Sequence, residues 1–179
     1  MVDEDDNLNP GEDGELESRP PSVEDLVELC KELNRRQVRY LVLGGFAIRN
    51  AGYPRETGDV DIMIDTSPEN EAQAYAALEI LPDQAVKELK PGEVSQYVVV
   101  RVCDEITVDL MASASGIRYE EASKEIVTRV INDVPIPFAS PKLLWRMKVN
   151  THREKDAPDL LFLRQHDAKE IFGEDANGV

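Results

Sequence analysis

The chain is short of the residues on which many small catalytic centres are built. It has two histidines, His152 and His166, and two cysteines, Cys30 and Cys103, among 179 residues. The histidines belong to no partner pattern, which predicts surface positions. The sequence carries no Ser/His/Asp set, no zinc-ligand spacing and no Walker loop, so it offers no basis for triad hydrolysis, zinc chemistry or P-loop chemistry. Both cysteines sit in apolar patterns, which predicts reduced core residues in a cytoplasmic protein. No apolar run approaches the roughly 20 residues a membrane helix needs, and no signal peptide precedes the first predicted helix. No membrane partner is therefore expected, and no internal repeat is present.

Positive charge is also scarce. Lys and Arg number 20 against 36 Asp and Glu, a formal net charge of −16. Such a balance argues against broad, non-specific nucleic-acid binding. Residues 1–20 hold eight acids and one arginine, close to half of that charge, so a nucleic-acid substrate on a local basic patch stays open. Residues 1–21 are acidic, rich in Gly, Pro and Asn and poor in apolar side chains, which predicts a disordered tail. With 41% hydrophobic and 31% charged residues, the rest reads as one soluble domain over 22–165 with a frayed end over 166–179.

Ser22, followed by an acid three residues on, caps a helix whose Val23, Leu26, Val27, Cys30 and Leu33 recur at helical spacing. Tyr40 to Leu43 is a short apolar run ending on Gly44-Gly45, with a short helix expected from Phe46 to Ala51. A Gly/Pro/Arg loop leads to a second apolar run carrying Asp59 and Asp61. Ser67-Pro68 opens a helix to about Leu81, and Val94 to Val102 reads as a strand with Ile106 to Met111 as its hairpin partner. Ile126 to Ile131 and Val134 to Phe138 form a second hairpin turning at Asn132-Asp133. Ser140-Pro141 starts a helix that ends near Val149, and Pro158 fits the first turn of a last one. The fold expected is α/β (α+β), a short mixed twisted sheet flanked by helices, with a small helical C-terminal extension.

The chemistry concentrates between Tyr40 and Asp65. Residues two apart in a strand share a face, so Asp59 and Asp61 project together while Val60 and Ile62 face the core. Two carboxylates this close repel, and one keeps its proton unless a cation lies between them. Hard oxygen donors suit Mg²⁺ or Mn²⁺. Gly44 and Gly45 leave backbone N–H groups uncovered at a helix start, a favourable place for phosphate. On its strand Asp109 shares a face with Thr107, away from Ile106, Val108 and Leu110, as a metal ligand or an exposed residue would. Thr57 is placed to bond the backbone beside the carboxylates.

G-G-x-A-x-R followed by R-x-T-x-D-V-D-I resembles the nucleotidyltransferase superfamily that includes DNA polymerase beta. Within it the pattern is more similar to the AbiEii-type toxins and minimal nucleotidyltransferases. The resemblance spans about residues 22–165. It implies transfer of a nucleoside monophosphate from an NTP, such as ATP, to an acceptor hydroxyl, with two Mg²⁺ ions on Asp59 and Asp61 and Asp109 as third ligand. It implies phosphate binding at Gly44-Gly45 and charge neutralisation by Lys148, whose helix is followed by R-x-K-D-x-x-D, and it leaves Arg55 facing triphosphate or acceptor, or holding its loop. The acceptor implied is an RNA or tRNA end or a protein, with a cognate antitoxin or second subunit as partner. A non-catalytic nucleotide-binding or partner-binding module of the same fold is the alternative.

Overall fold

The structure, a computed structural model, describes residues 17–173. The expected acidic tail lies outside the described residues up to residue 16. From there the chain is tied down. Ser18 Oγ donates to the Asp104 carbonyl (2.7 Å) and the Arg19 N–H to that of Glu105 (2.9 Å). The Arg19 guanidinium forks onto Asp25 at 2.7 and 2.8 Å. Asp25 also closes a capping box with Ser22 at the start of α1 (Val23–Arg35), the arrangement expected from the Ser-x-x-Asp spacing.

A six-stranded mixed sheet forms the centre of the molecule. Its strands are β1 (Tyr40–Val42), β2 (Asp59–Ile64), β3 (Val99–Cys103), β4 (Thr107–Met111), β7 (Ile126–Ile131) and β8 (Val134–Ala139), in the order β3-β4-β2-β1-β8-β7. β5 (Ser113–Ala114) and β6 (Ile117–Arg118) make a separate two-stranded ribbon. β2 runs parallel to β4 and β1 parallel to β8; the remaining pairs are antiparallel. The β7–β8 turn falls at Asn132-Asp133, both at positive φ (48° and 64°), the conformation a tight hairpin favours in these residue types.

Helices cover the sheet because its apolar rows demand it. Leu26, Leu29, Cys30 and Leu33 of α1 are buried, and α1 packs on β8 and on α3 (Pro68–Leu78). Val60 and Ile62 are fully buried, as alternation along β2 predicts. α2 (Gly44–Asn50) packs on β2, β8 and α6 (Pro141–Lys148). α7 (Ala157–His166) and α8 (Ala168–Phe172) form the helical extension, with Phe172 edge-on to Trp145. Of the end expected to fray, residues 174–179 lie outside the described residues.

The structure corrects the expectations for Val94 to Val102 and for Cys103. Val94 to Val102 is not one strand: α4 (Glu93–Tyr97) precedes β3. The buried Glu71 carboxylate takes the N–H groups of Gly92 (2.6 Å) and Val94 (3.1 Å), which closes a helical turn despite β-branched sequence. Cys30 is buried, and burial pushes its thiol up to about 12, but Cys103 is exposed because it shares the outward face of β3 with Val99 and Arg101 while Val100 and Val102 face the core.

A buried Asn70 joins the helical layer to the strands that carry the site. It takes the Arg39 N–H (2.7 Å) and donates to the carbonyls of Arg39 (3.0 Å) and Asp65 (2.7 Å), bracketing the start of β1 and the end of β2. Asn70→Ala should lose about 1–3 kcal/mol of unfolding free energy in urea, the cost of leaving such groups unpaired. Unchanged stability would show that water replaces all three bonds.

Candidate active site

The glycine pair has a steric reason. Leu43 donates its N–H to the Asp61 carbonyl (2.9 Å), carrying the β1–β2 pairing up to the first residue of α2. Gly44 sits at φ +58°, and a Cβ there would lie 1.9 Å from Asp61 Oδ2. A Cβ on Gly45 would lie 2.5 Å from Thr57 Cβ and Oγ1. The helix therefore starts directly on Asp61 and Thr57, and α2 includes both glycines instead of beginning at Phe46. Thr57 Oγ1 donates to the Asp59 carbonyl (2.9 Å), fixing the loop where β2 begins.

Sheet register assembles the carboxylates. Asp61 pairs with Asp109 across the parallel β2–β4 ladder, and Asp109 with Arg101 across the antiparallel β3–β4 ladder. Asp61, Asp109 and Arg101 thus stand side by side in one transverse row. One carboxylate oxygen from each of Asp59, Asp61 and Asp109 lies within 4.8 Å of the others. Asp109 is buried, which decides against an ordinary exposed residue.

Arg101 is the site residue that the sequence reading missed. Its Nε donates to Asp109 Oδ1 (2.8 Å) and its Nη2 to Asp109 Oδ2 (2.8 Å), a bidentate pair. Nη2 also reaches Asp59 Oδ2 at 3.1 Å. Hydrogen bonds donated to Asp109 raise the Arg101 guanidinium above its already high pKa. The signal was available: a β3–β4 hairpin pairing Cys103 with Thr107 necessarily sets Arg101 opposite Asp109.

Asp61 differs from its neighbours. Among the described residues its carboxylate receives no hydrogen bond and forms no ion pair, and the Lys148 and Arg101 charges reach it only across space. Burial, then the charges of Asp59 and Asp109, push its carboxyl up to about 7. An unpartnered carboxylate beside two others is what a divalent cation resolves, so the residues present fit Mg²⁺ or Mn²⁺.

Lys148 ends α6 and lines the same cleft, about 510 Å³ in volume, with Gly44, Gly45 and Arg55. Its ammonium meets Asp156 (2.8 Å) and Asp159 (3.2 Å), both buried, so it is neither a free surface lysine nor a pair within its own helix. Burial pushes the Asp156 carboxyl up, but hydrogen bonds from Lys148 and Thr151 outweigh this and hold it below its usual value. Arg55 Nε lies 3.2 Å from Asp159 Oδ1. Both contacts of Asp159 are at ion-pair distance without hydrogen-bond alignment. Asp156 and Asp159, the two acids of the R-x-K-D-x-x-D segment, thus hold Lys148 and Arg55 against the cleft wall. His152 and His166 are exposed, as expected.

No family model and no curated protein matches the chain. Solved structures do. A provisionally assigned nucleotidyltransferase from Thermotoga maritima superposes with a TM-score of 0.53 at 17% identity, covering 80% of this chain and 92% of its own. ANT(2″)-Ia in complex with adenylyl-2″-tobramycin gives 0.51 at 14% identity, over 83% and 91% of the two chains. The lincosamide antibiotic adenylyltransferase LnuA, lincomycin-bound, gives 0.50 at 15%, over 82% and 98%. The chain has the nucleotidyltransferase fold.

The titration of Asp61 makes stability depend on pH and metal together. An unfolded aspartate has lost its proton by about pH 5, whereas folded Asp61 holds its proton up to about 7. The folded state then binds more protons between these values, so this group's contribution to stability falls as pH rises through that window. A divalent ion needs the ionised carboxylate. Saturating Mg²⁺ should therefore raise the melting temperature more at pH 8 than at pH 5.5, and Asp61→Asn should abolish the difference.

Proposed function

We propose that the chain is a metal-dependent nucleotidyltransferase, moving a nucleoside monophosphate from an NTP to an acceptor hydroxyl. The observation that carries this reading is the Asp61 carboxylate, without hydrogen bond or ion pair among the described residues, set beside Asp59 and Asp109 and directly under the glycine turn. The fold shared with adenylyltransferases supports it.

In this reading Asp59 and Asp61 hold Mg²⁺ or Mn²⁺. When bound, the ion draws charge from the triphosphate and lowers the pKa of the acceptor hydroxyl. The bare backbone at Gly44 and Gly45 lets phosphate approach closely. Lys148 and Arg55, preset by Asp156 and Asp159, place positive charge along the cleft for the leaving pyrophosphate. The acceptor oxygen bonds to the α-phosphorus, the bond from that phosphorus towards the β-phosphate breaks with its electron pair on pyrophosphate, and the acceptor proton leaves to water.

The AbiEii-type resemblance favours an RNA or tRNA end, or a protein hydroxyl, as acceptor in a cytoplasmic toxin pair. ANT(2″)-Ia and LnuA, bound to tobramycin and lincomycin species, make a small-molecule hydroxyl the competing acceptor class.

Nucleotide affinity and pyrophosphate release, measured on the same proteins, test the reading. Asp59→Asn and Asp61→Asn should weaken MgNTP binding and abolish release. Asp109→Ala should keep affinity within severalfold yet lose transfer by roughly a hundredfold or more, the scale of removing a group that stabilises developing charge. Tight MgNTP binding by the parent with no transfer to any acceptor would favour a nucleotide-binding module instead.

A further inference from the structure

The acid triad is not electrostatically uniform, and the difference bears on how many ions it holds. Arg101 covers both oxygens of Asp109 and reaches Asp59 Oδ2, whereas the Asp61 carboxylate has neither hydrogen bond nor ion pair among the described residues and feels the Arg101 and Lys148 charges only across space. Arg101 Nη2 stands in the gap between the carboxylates of Asp59 and Asp109, 3.1 Å from Asp59 Oδ2 and 2.8 Å from Asp109 Oδ2, at hydrogen-bond distance from both. The guanidinium thus already supplies positive charge where a cation shared by Asp59 and Asp109 would have to lie.

The placement is built into the sheet. Arg101 lies opposite Asp109 in an antiparallel pair, where facing side chains stand about 5 Å apart. The planar fork of arginine matches a carboxylate in two parallel bonds, and its charge persists at every physiological pH. Asp59 keeps Oδ1 free of these bonds, so Asp59 and Asp61 together still offer oxygens for one ion. With Arg101 and one divalent ion the three carboxylates are neutralised in full. A second ion would crowd a fixed positive charge.

We propose that Arg101 takes the place of the second metal ion, so that this site holds one divalent cation, on Asp59 and Asp61. The proposal rests on the reading that those two aspartates bind metal, and it departs from the two-ion arrangement implied by the family resemblance. Arg101 supplies the remaining positive charge on the Asp109 side and positions Asp109 in the row.

Counting bound Mn²⁺ by the loss of its free EPR signal tests this on the full chain. The ion is titrated alone and then with each of the four α,β-methylene NTP analogues, after correction for ion bound to free analogue. The parent should bind one protein-held ion. Arg101→Ala should bind two, close enough to show the broadened spectrum of a spin-coupled pair. Arg101→Met, which fills the same space without charge, should do likewise and guards against a folding defect in the alanine variant. A thermal-shift readout should agree, with Mn²⁺ raising the melting temperature of both variants more than that of the parent. Two ions in the parent, or one ion in both folded variants, would overturn the proposal while leaving Asp59 and Asp61 as ligands. No binding by the parent, with Asp61→Asn indistinguishable from it, would remove the metal reading itself.

Discussion

Mutual repulsion among Asp59, Asp61 and Asp109 is the constraint around which this molecule is arranged. Three carboxylates within 4.8 Å are costly to hold together, and the sheet holds them by register: β2 and β4 run parallel with Asp61 beside Asp109. The protein meets part of that cost internally through Arg101, and Asp61 is left as the unpaired member. A site half-neutralised in this way is suited to one more cation. That imbalance, rather than any single aspartate, is what the proposed metal site rests on.

The surrounding structure serves the same arrangement. Gly44 and Gly45 are required because α2 starts against Asp61 and Thr57, where any side chain would collide. Asn70 locks α3 to the outer ends of β1 and β2, so the strand bearing two of the aspartates is held at that end as well. On the far wall of the cleft, Asp156 and Asp159 hold Lys148 and Arg55. In the proposed reaction this positive charge would face the triphosphate and is set in place before the ligand arrives, which lowers the cost of ordering flexible side chains on binding.

Much of this was legible in the sequence where the signal is local. The Ser22 cap, the alternation of Val60 and Ile62 with the aspartates, and the Asn132-Asp133 hairpin all follow from short-range rules, and the structure has each. The G-G and D-x-D spacing pointed to the fold that the solved structures share. What was not legible depends on contacts between distant segments. Val94 is helical because Glu71, 23 residues away, takes its N–H. Arg101 enters the site through strand register, and Asp159 meets both Lys148 and Arg55 only once α7 has docked. The C-terminal D-x-x-D gave the residues without their partners.

Transfer of a nucleoside monophosphate by this chain, as proposed, is decided by the fate of two labels. The protein is incubated with Mg²⁺, total RNA or lysate, and each NTP carrying label at either the α or the γ phosphate. α-Label should become covalently attached to an acceptor while γ-label appears only in pyrophosphate, and Asp61→Asn should do neither. Transfer of γ-label to the acceptor, or equal incorporation by Asp61→Asn, would contradict the proposal.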